Sequence, residues 1–266
     1  MEFWEIIIYS FTQGITEFLP ISSSAHLLIL EHLLNWSVSG RTMVVSAHLG
    51  SLLAVIIYLR ENLLKIINSI YKFNNFKQDI NVLLLRNLFL ITLPILIIGL
   101  LIFKNLDKEL LSLNVIAWSS IIGASLLYIA DNYRGEKKNI YSLSILDSLF
   151  IGFFQIFALI PGASRAGTVI TAARILKLTR IESTKLGLYS GLPTISGAVI
   201  LESLWLINNL SSNEQIIPII LIFILSFFFA YLSIIFLIKW LNNYTFLPFV
   251  IYRISIGILI LYLINI

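Results

Sequence analysis

Two polar islands interrupt an otherwise apolar chain, and they carry the residue types that acid–base and anion chemistry needs. The first reads Gln13-Gly-Ile-Thr-Glu17-Phe-Leu-Pro20-Ile-Ser22-Ser23-Ser24-Ala-His26. The second reads Gln155-Ile-Phe-Ala-Leu-Ile-Pro161-Gly162-Ala-Ser164-Arg165-Ala-Gly167-Thr168. Residues four apart share a helix face, so Gln13 and Glu17 point together before the break at Pro20. Beyond it, Ser22 is placed to cap a new helix whose first N–H groups lack partners, and Ser23 and His26, three apart, are neighbours on it. In the second island Pro161-Gly162 makes a turn, Ser164 stands near a helix N-terminus and Arg165 follows. Two helix N-termini brought together form an anion site through free N–H groups and the positive dipole end. The planar fork of Arg165 suits phosphate oxygens.

Each residue also has a plainer reading. A Pro-flanked serine cluster in a membrane helix often only packs and satisfies backbone, and a lone histidine in apolar surroundings is more often structural. Glu17, His26 and Arg165 together are harder to explain that way. Each ionisable group at a bilayer centre costs about 2.5–3.5 kcal/mol on insertion scales, so three of them favour a function. The remaining polar residues carry less. His48 is read first as structural, although it could hydrogen-bond toward the islands. His32 lies near a membrane surface and is incidental. Arg174 is expected to snorkel to the interface. Arg253, inside an apolar stretch, needs a protein partner, either a carbonyl or Glu202, and reads as structural support.

The elements that must position these islands follow from composition. Of 266 residues 58% are hydrophobic and only 12% charged, about half the charge of a soluble domain. Spans of the length a bilayer requires run over about 43–60, 83–103, 113–130, 184–207, 216–240 and 247–265. The chain is therefore a polytopic membrane protein with no room for a soluble domain. Cysteine is absent, which excludes disulfides and thiolate metal sites, and Met1-Glu-Phe-Trp-Glu5 lacks the basic region of a signal peptide. The net charge of +4 implies no nucleic-acid partner, because Lys and Arg gather between spans. Arg60, Lys65, Lys72, Lys77 and Arg86 mark one loop as cytoplasmic, as do Arg134, Lys137 and Lys138 for another. Lys177, Arg180, Lys185 and Lys239 fall on the same side, leaving Arg41, Lys104 and Lys108 outside.

Segments 1–40 and 141–182 do not read as ordinary spans. Each has short apolar helical stretches flanking its island, the pattern of re-entrant helices at a midplane site. Setting Pro20 on Pro161 gives an offset of 141 residues, about half the chain. The expected fold is an all-α polytopic membrane protein forming a single domain over 1–266. It contains two inverted-topology repeats, about 1–131 and 141–266, each a re-entrant helical hairpin plus three transmembrane helices.

The motifs Gln13-x-x-x-Glu17-Phe18-Leu19-Pro20-Ile21-Ser22-Ser23-x-x-His26 and Pro161-Gly162-x-Ser164-Arg165 resemble the two signatures of the undecaprenyl-diphosphatases of the bacitracin-resistance type. The resemblance extends to Ala47-His48-Leu49-Gly50 and to Phe246-x-Pro248-Phe249-x-x-Tyr252-Arg253, and so covers essentially the whole chain. It implies a phosphatase of the bacterial inner membrane that converts undecaprenyl diphosphate to the monophosphate and regenerates the carrier lipid for peptidoglycan. By position it implies Glu17, Ser23, His26 and Arg165 as catalytic, and Gln13, Ser22, Ser24, Gly162, Ser164 and Thr168 as substrate-binding. A divalent cation, Mg2+ or Ca2+, is implied with Glu17 as its ligand, and a homodimer is a further expectation. The chain departs from the family pattern at Gln13, where Glu is common and where a neutral amide cannot act as a base. It departs again after Arg165, where Ala166-Gly167-Thr168-Val169 stands in place of Ser-Gly-x-Thr, so that one hydroxyl is missing and the other is shifted by one position, leaving Thr168 or Thr171 as substitutes.

The corresponding mechanism is phosphoryl transfer, with Arg165 and a cation neutralising charge on the diphosphate. Glu17 binds the cation or takes a proton, Ser23 attacks or positions water, and His26 relays protons. The rival expectation is a transporter or flippase of a phosphorylated polyprenyl lipid, since inverted repeats with broken helices also build transporters. A structural membrane subunit is the third, and it would tolerate loss of Arg165.

Overall fold

The computed structural model describes residues 3–34, 41–71, 79–102, 112–133, 138–209 and 216–264. The loop basic residues Lys72, Lys77, Lys104, Lys108, Arg134 and Lys137 fall outside them. Among the described residues the chain is helical, with one isolated bridge between Lys138 and Leu178 and no strand. The elements are α1 (Phe3–Phe18), α2 (Ser23–Leu34), α3 (Arg41–Tyr71), α4 (Ile80–Ile102) and α5 (Leu113–Asp131). They continue as α6 (Ile145–Gln155), α7 (Arg165–Ile175), α8 (Arg180–Asn209), α9 (Ile216–Asn243) and α10 (Leu247–Ile264).

Six of these, α3, α4, α5, α8, α9 and α10, are long and apolar enough to cross a membrane, and they coincide with the six spans read from hydropathy. The largest difference is α3, which runs on to Tyr71. Its last three turns carry Arg60, Glu61 and Lys65, so the hydropathy signal fades there. Nothing in 51–71 is a helix breaker, so the helix continues.

The two pairs α1–α2 and α6–α7 are helix–turn–helix units whose turns hold the polar islands. Ser144 starts α6 with a reciprocal capping box to Asp147. After Gln155 the chain tightens into a 3₁₀ turn over Ile156–Leu159 before reaching Pro161. The first unit packs through α1 on α9, and the second through α6 on α4. Between them, α3 packs on α9, α8 on α4, α5 on α10 and α3 on α8. Small residues allow these approaches. A Cβ at Gly50 of α3 would stand 2.3 Å from the Phe223 carbonyl oxygen, and one at Gly14 of α1 would stand 2.6 Å from Phe229 Cβ.

One ion cluster ties four element ends together. Arg174 Nε donates to Asp131 Oδ1 at 3.1 Å and Arg180 Nε donates to it at 2.8 Å. The Phe246 N–H at the α9–α10 turn donates to Asp131 Oδ2. Arg174 therefore does not snorkel as expected. A carboxylate at the end of α5 captures it, and its Nη2 also reaches the Asp131 carbonyl at 2.9 Å. Breaking such a buried pair from one side costs about 3–5 kcal/mol. Asp131→Leu is expected to lower the melting temperature in detergent by more than any single change at an exposed apolar position. An unchanged melting temperature would show the cluster to be solvated.

Candidate active site

Both islands end in the same local geometry. Ser22 and Ser164 each precede the second helix of their unit with positive φ, 72° and 70°. Ser164 Oγ accepts the Gly167 N–H at 3.1 Å and Ser22 Oγ accepts the Ala25 N–H at 3.4 Å, so each serine serves as the N-cap read from sequence. Gly162, at φ 96°, turns the second island where a Cβ would meet Ser119 Oγ at 2.1 Å.

The two turns face one another, and Glu17 joins them. Its Oε1 accepts Arg165 Nη2 at 3.0 Å. Its Oε2 accepts Ser23 Oγ at 2.6 Å and Gln13 Nε2 at 2.9 Å. Arg165 is seated further by Nη1 donating to the Gly187 carbonyl at 2.8 Å, with its guanidinium 5.7 Å from the centre of the Phe18 ring. Gly191 of α8 makes that seat, since a Cβ there would lie 2.4 Å from Arg165 Nη1. His48 of α3 completes the group. Its Nδ1 donates to the Val44 carbonyl at 2.8 Å, so in the neutral ring Nε2 presents a lone pair, 3.9 Å from Glu17 Oε2.

These residues line a cavity of 300 Å³ that also takes in Ser22, Ser24 and Ser164 and runs between α4 and α8. Carboxylate, hydroxyl, imidazole and guanidinium converge at two helix N-termini. The arrangement can bind an anion and move a proton between Ser23 and Glu17.

The family model described as Bacitracin resistance protein BacA matches residues 6–259. The chain belongs to this family. It is similar to the undecaprenyl-diphosphatase of Pelagibacter ubique (strain HTCC1062), with 41% identity over 96% of this chain and 95% of that one. It is also similar to the undecaprenyl-diphosphatase of Alteromonas mediterranea, with 36% identity over 98% of each chain. With six described helices long and apolar enough to cross a membrane, this member of the BacA family is a multi-pass protein of the bacterial inner membrane.

Other residues singled out in the sequence stand apart from the cavity in this BacA-family chain. Gln13 lies fully buried behind Glu17 and supports the carboxylate. His26 turns away to a second cavity of 860 Å³ between α2, α5 and α10. There its Nδ1 donates to the Ser22 carbonyl and its Nε2 meets the Tyr252 hydroxyl, each at 2.6 Å. Thr168 donates to the Arg165 carbonyl at 2.8 Å and Thr171 to the Gly167 carbonyl at 2.7 Å. Both line a third, apolar cavity, so neither replaces the hydroxyl absent after Arg165. The Gly162 carbonyl accepts Arg253 Nη2 at 2.9 Å.

Arg253 has the carbonyl partners anticipated as one alternative. Its Nη2 also reaches the Ala163 carbonyl at 2.9 Å, and its Nη1 reaches the Pro20 carbonyl at 3.3 Å. One buried guanidinium thus holds the turns of both islands. His48, read from sequence first as structural, stands 3.9 Å from Glu17 Oε2. The available signal is that His48 is the one ionisable side chain between Arg41 and Tyr58 of α3.

Proposed function

We propose that the protein is an undecaprenyl-diphosphate phosphatase, releasing inorganic phosphate and leaving the monophosphate carrier lipid for peptidoglycan synthesis. The observation that carries this reading is the chain Ser23–Glu17–Arg165, with contacts of 2.6 and 3.0 Å, placed between two helix N-termini. Arg165 and the first-turn N–H groups of α2 and α7 receive the diphosphate, whose terminal phosphorus then faces Ser23. Glu17 accepts the proton of the attacking oxygen, either Ser23 Oγ itself or a water that Ser23 orients. The bond to the bridging oxygen breaks and the monophosphate ester leaves, taking the proton back from Glu17. On the covalent route water then releases phosphate from Ser23, with Glu17 again the proton acceptor.

A divalent cation fits this donor set only together with substrate. Among the described residues no three His, Cys, Asp or Glu side chains group to hold a metal. Magnesium, however, is commonly held by one or two carboxylates plus substrate phosphates. Glu17, with His48 Nε2 beside it, would hold the ion against the lipid's diphosphate. Bound there it would neutralise charge on non-bridging oxygens.

The cavity extends from the island turns along Ile95 to Ile102 of α4 and Thr194 to Glu202 of α8. Those helix ends lie away from the Arg- and Lys-rich side, so the site opens to the outer face. The same reading makes α1–α2 and α6–α7 re-entrant hairpins of an inverted repeat, with α3, α4 and α5 equivalent to α8, α9 and α10. Three features support it. The packing of α1 on α9 and α3 on α9 corresponds to that of α6 on α4 and α8 on α4. Ser22 and Ser164 share their backbone geometry. Gln13 and Gln155, both fully buried, are separated by the same 142 positions as the two serines, one more than the proline alignment gives.

The test is phosphate release from farnesyl or undecaprenyl diphosphate by the purified protein in detergent. Release is expected with Mg2+ or Ca2+ and should be abolished by EDTA. Ser23→Ala is expected to lower kcat by about 10²-fold or more. Full turnover in Ser23→Ala would remove the covalent route, and no release by folded wild type with metal present would overturn the assignment.

A further inference from the structure

The cavity has two ends of opposite character. At one end lie Glu17, Ser23, His48 and Arg165. The other end is a largely apolar slot whose walls include Leu96 and Gly99 of α4, Leu159 at the second hairpin, and Gly197, Ala198 and Leu201 of α8, with Thr194 and Glu202 of α8 also lining it. The slot is open on its α4 wall, where Gly99 brings no side chain. A Cβ on Gly99 would come no nearer than 3.6 Å to Leu159 Cδ2, whereas the space over Gly197 is taken by Leu96, whose Cδ2 would lie 2.6 Å from a Cβ there. Pro94 and Pro193 sit inside α4 and α8, immediately before the first lining residues Ile95 and Thr194. Each lacks the N–H that would tie it to the preceding helical turn.

From this continuity we infer that the slot between α4 and α8 holds the first isoprene units of the lipid whose diphosphate occupies the polar end. The inference rests on the phosphatase reading for the identity of the head group, and it adds where the chain lies and which residues select it. The occupant must be one molecule with an anionic head and a branched apolar chain, because the same space offers the Arg165 guanidinium and two helix N-termini at one end and is walled by Gly99 and leucine branches at the other. A volume of 300 Å³ is at the lower limit for small-ligand pockets. It accommodates the head and the first few units, while the rest of the chain passes between α4 and α8 into the bilayer. Lipid tails are as apolar as the slot, so the slot adds little attraction. Its effect is positional: it fixes the line along which the chain leaves the head, and so the aim of the terminal phosphorus at Ser23.

Residues that fill the slot should therefore discriminate by chain length. The measurement is the ratio of kcat/KM for farnesyl diphosphate to that for isopentenyl diphosphate, in wild type, Gly99→Phe and Ala198→Phe. Leu100→Phe, on the lipid-facing side of the same helix and 60% exposed, serves as control. The ratio is expected to fall about tenfold or more in both slot variants and to stay at the wild-type value in the control. An unchanged ratio in the slot variants overturns the inference, as does an equal loss on both substrates. Photocrosslinking with a diazirine-bearing farnesyl diphosphate, mapped by mass spectrometry, separates the two readings. Adducts on 95–102 or 195–202 support the slot even if no phosphate is released, in which case the phosphatase reading fails alone. Adducts confined to other helices overturn the slot while hydrolysis stands.

Discussion

Glu17→Gln is expected to reduce phosphate release by at least about 10³-fold, the scale on which charged groups act in phosphoryl transfer, and to lower stability in the same step. The substitution preserves volume but removes the one carboxylate that accepts Arg165, Ser23 and Gln13 together. Ser23 loses its proton acceptor, which accounts for the rate. The stability effect comes from Arg165, whose side chain is only 13% exposed. It keeps the Gly187 carbonyl but loses its counter-charge, and an uncompensated buried charge costs about 3–5 kcal/mol. Arg165→Met leaves the opposite charge stranded and should be destabilising to a similar degree. The double variant Glu17→Gln/Arg165→Met removes both charges and should melt closer to wild type than either single variant while remaining inactive. Thermal unfolding in detergent beside phosphate release tests this. Additive losses in the double variant would show that the two groups do not form a coupled pair.

Arg253→Met is expected to lower kcat by about 10²-fold or more although Arg253 does not line the cavity. Its role is positional. A side chain that is 1% exposed donates to the carbonyls of Pro20, Gly162 and Ala163, and so fixes the turn carrying Ser23 against the turn carrying Arg165. Displacement of reacting groups by about 1 Å can cost 10²-fold in rate. Three carbonyls would also lose their donor, so some destabilisation accompanies the change. Two readouts separate positioning from a general loss of structure. Ethylguanidinium added to Arg253→Ala should restore part of kcat. The chain contains no cysteine, so spin labels on Ser24→Cys and Phe157→Cys can report the spacing of the two hairpins without background. Their distance distribution should broaden in Arg253→Met. An unchanged distribution with kcat lost would remove the clamp from the explanation.

The parts of this structure legible in the sequence are those in which a local pattern fixes the outcome. The six spans follow from apolar length, and the helix restarts at Ser23 and Arg165 follow from a Pro break with a capping hydroxyl. Glu17, His26 and Arg165 could be grouped in expectation because three ionisable groups in lipid require a reason. The grouping did not show that Glu17 pairs with Arg165 while His26 meets Tyr252. Other features depend on the tertiary approach of helices. Arg174 read as a snorkelling residue because nothing local indicates that Asp131, 43 positions earlier, ends its helix within reach. His26 and Ser23 are neighbours along α2, yet the hairpin sends one toward Glu17 and the other toward Tyr252. Thr168 occupies a plausible position for a lost hydroxyl, but one helical turn commits it to the Arg165 carbonyl. His48 enters the site only because α3 crosses behind the first hairpin, which no spacing within α3 reveals.

The N-cap serines of the two hairpins have a further consequence. A left-handed backbone costs a residue with a Cβ roughly 1–2 kcal/mol, whereas glycine adopts it freely and loses only a few tenths of a kcal/mol as an N-cap relative to serine. At Ser22 and Ser164 glycine would therefore be the more durable choice. Retaining serine places a hydroxyl at each helix start, on the wall of the cavity proposed to take the diphosphate, at the expense of thermal robustness. These two turns are consequently where the molecule trades endurance for turnover, and where thermostabilising engineering would meet catalytic function first.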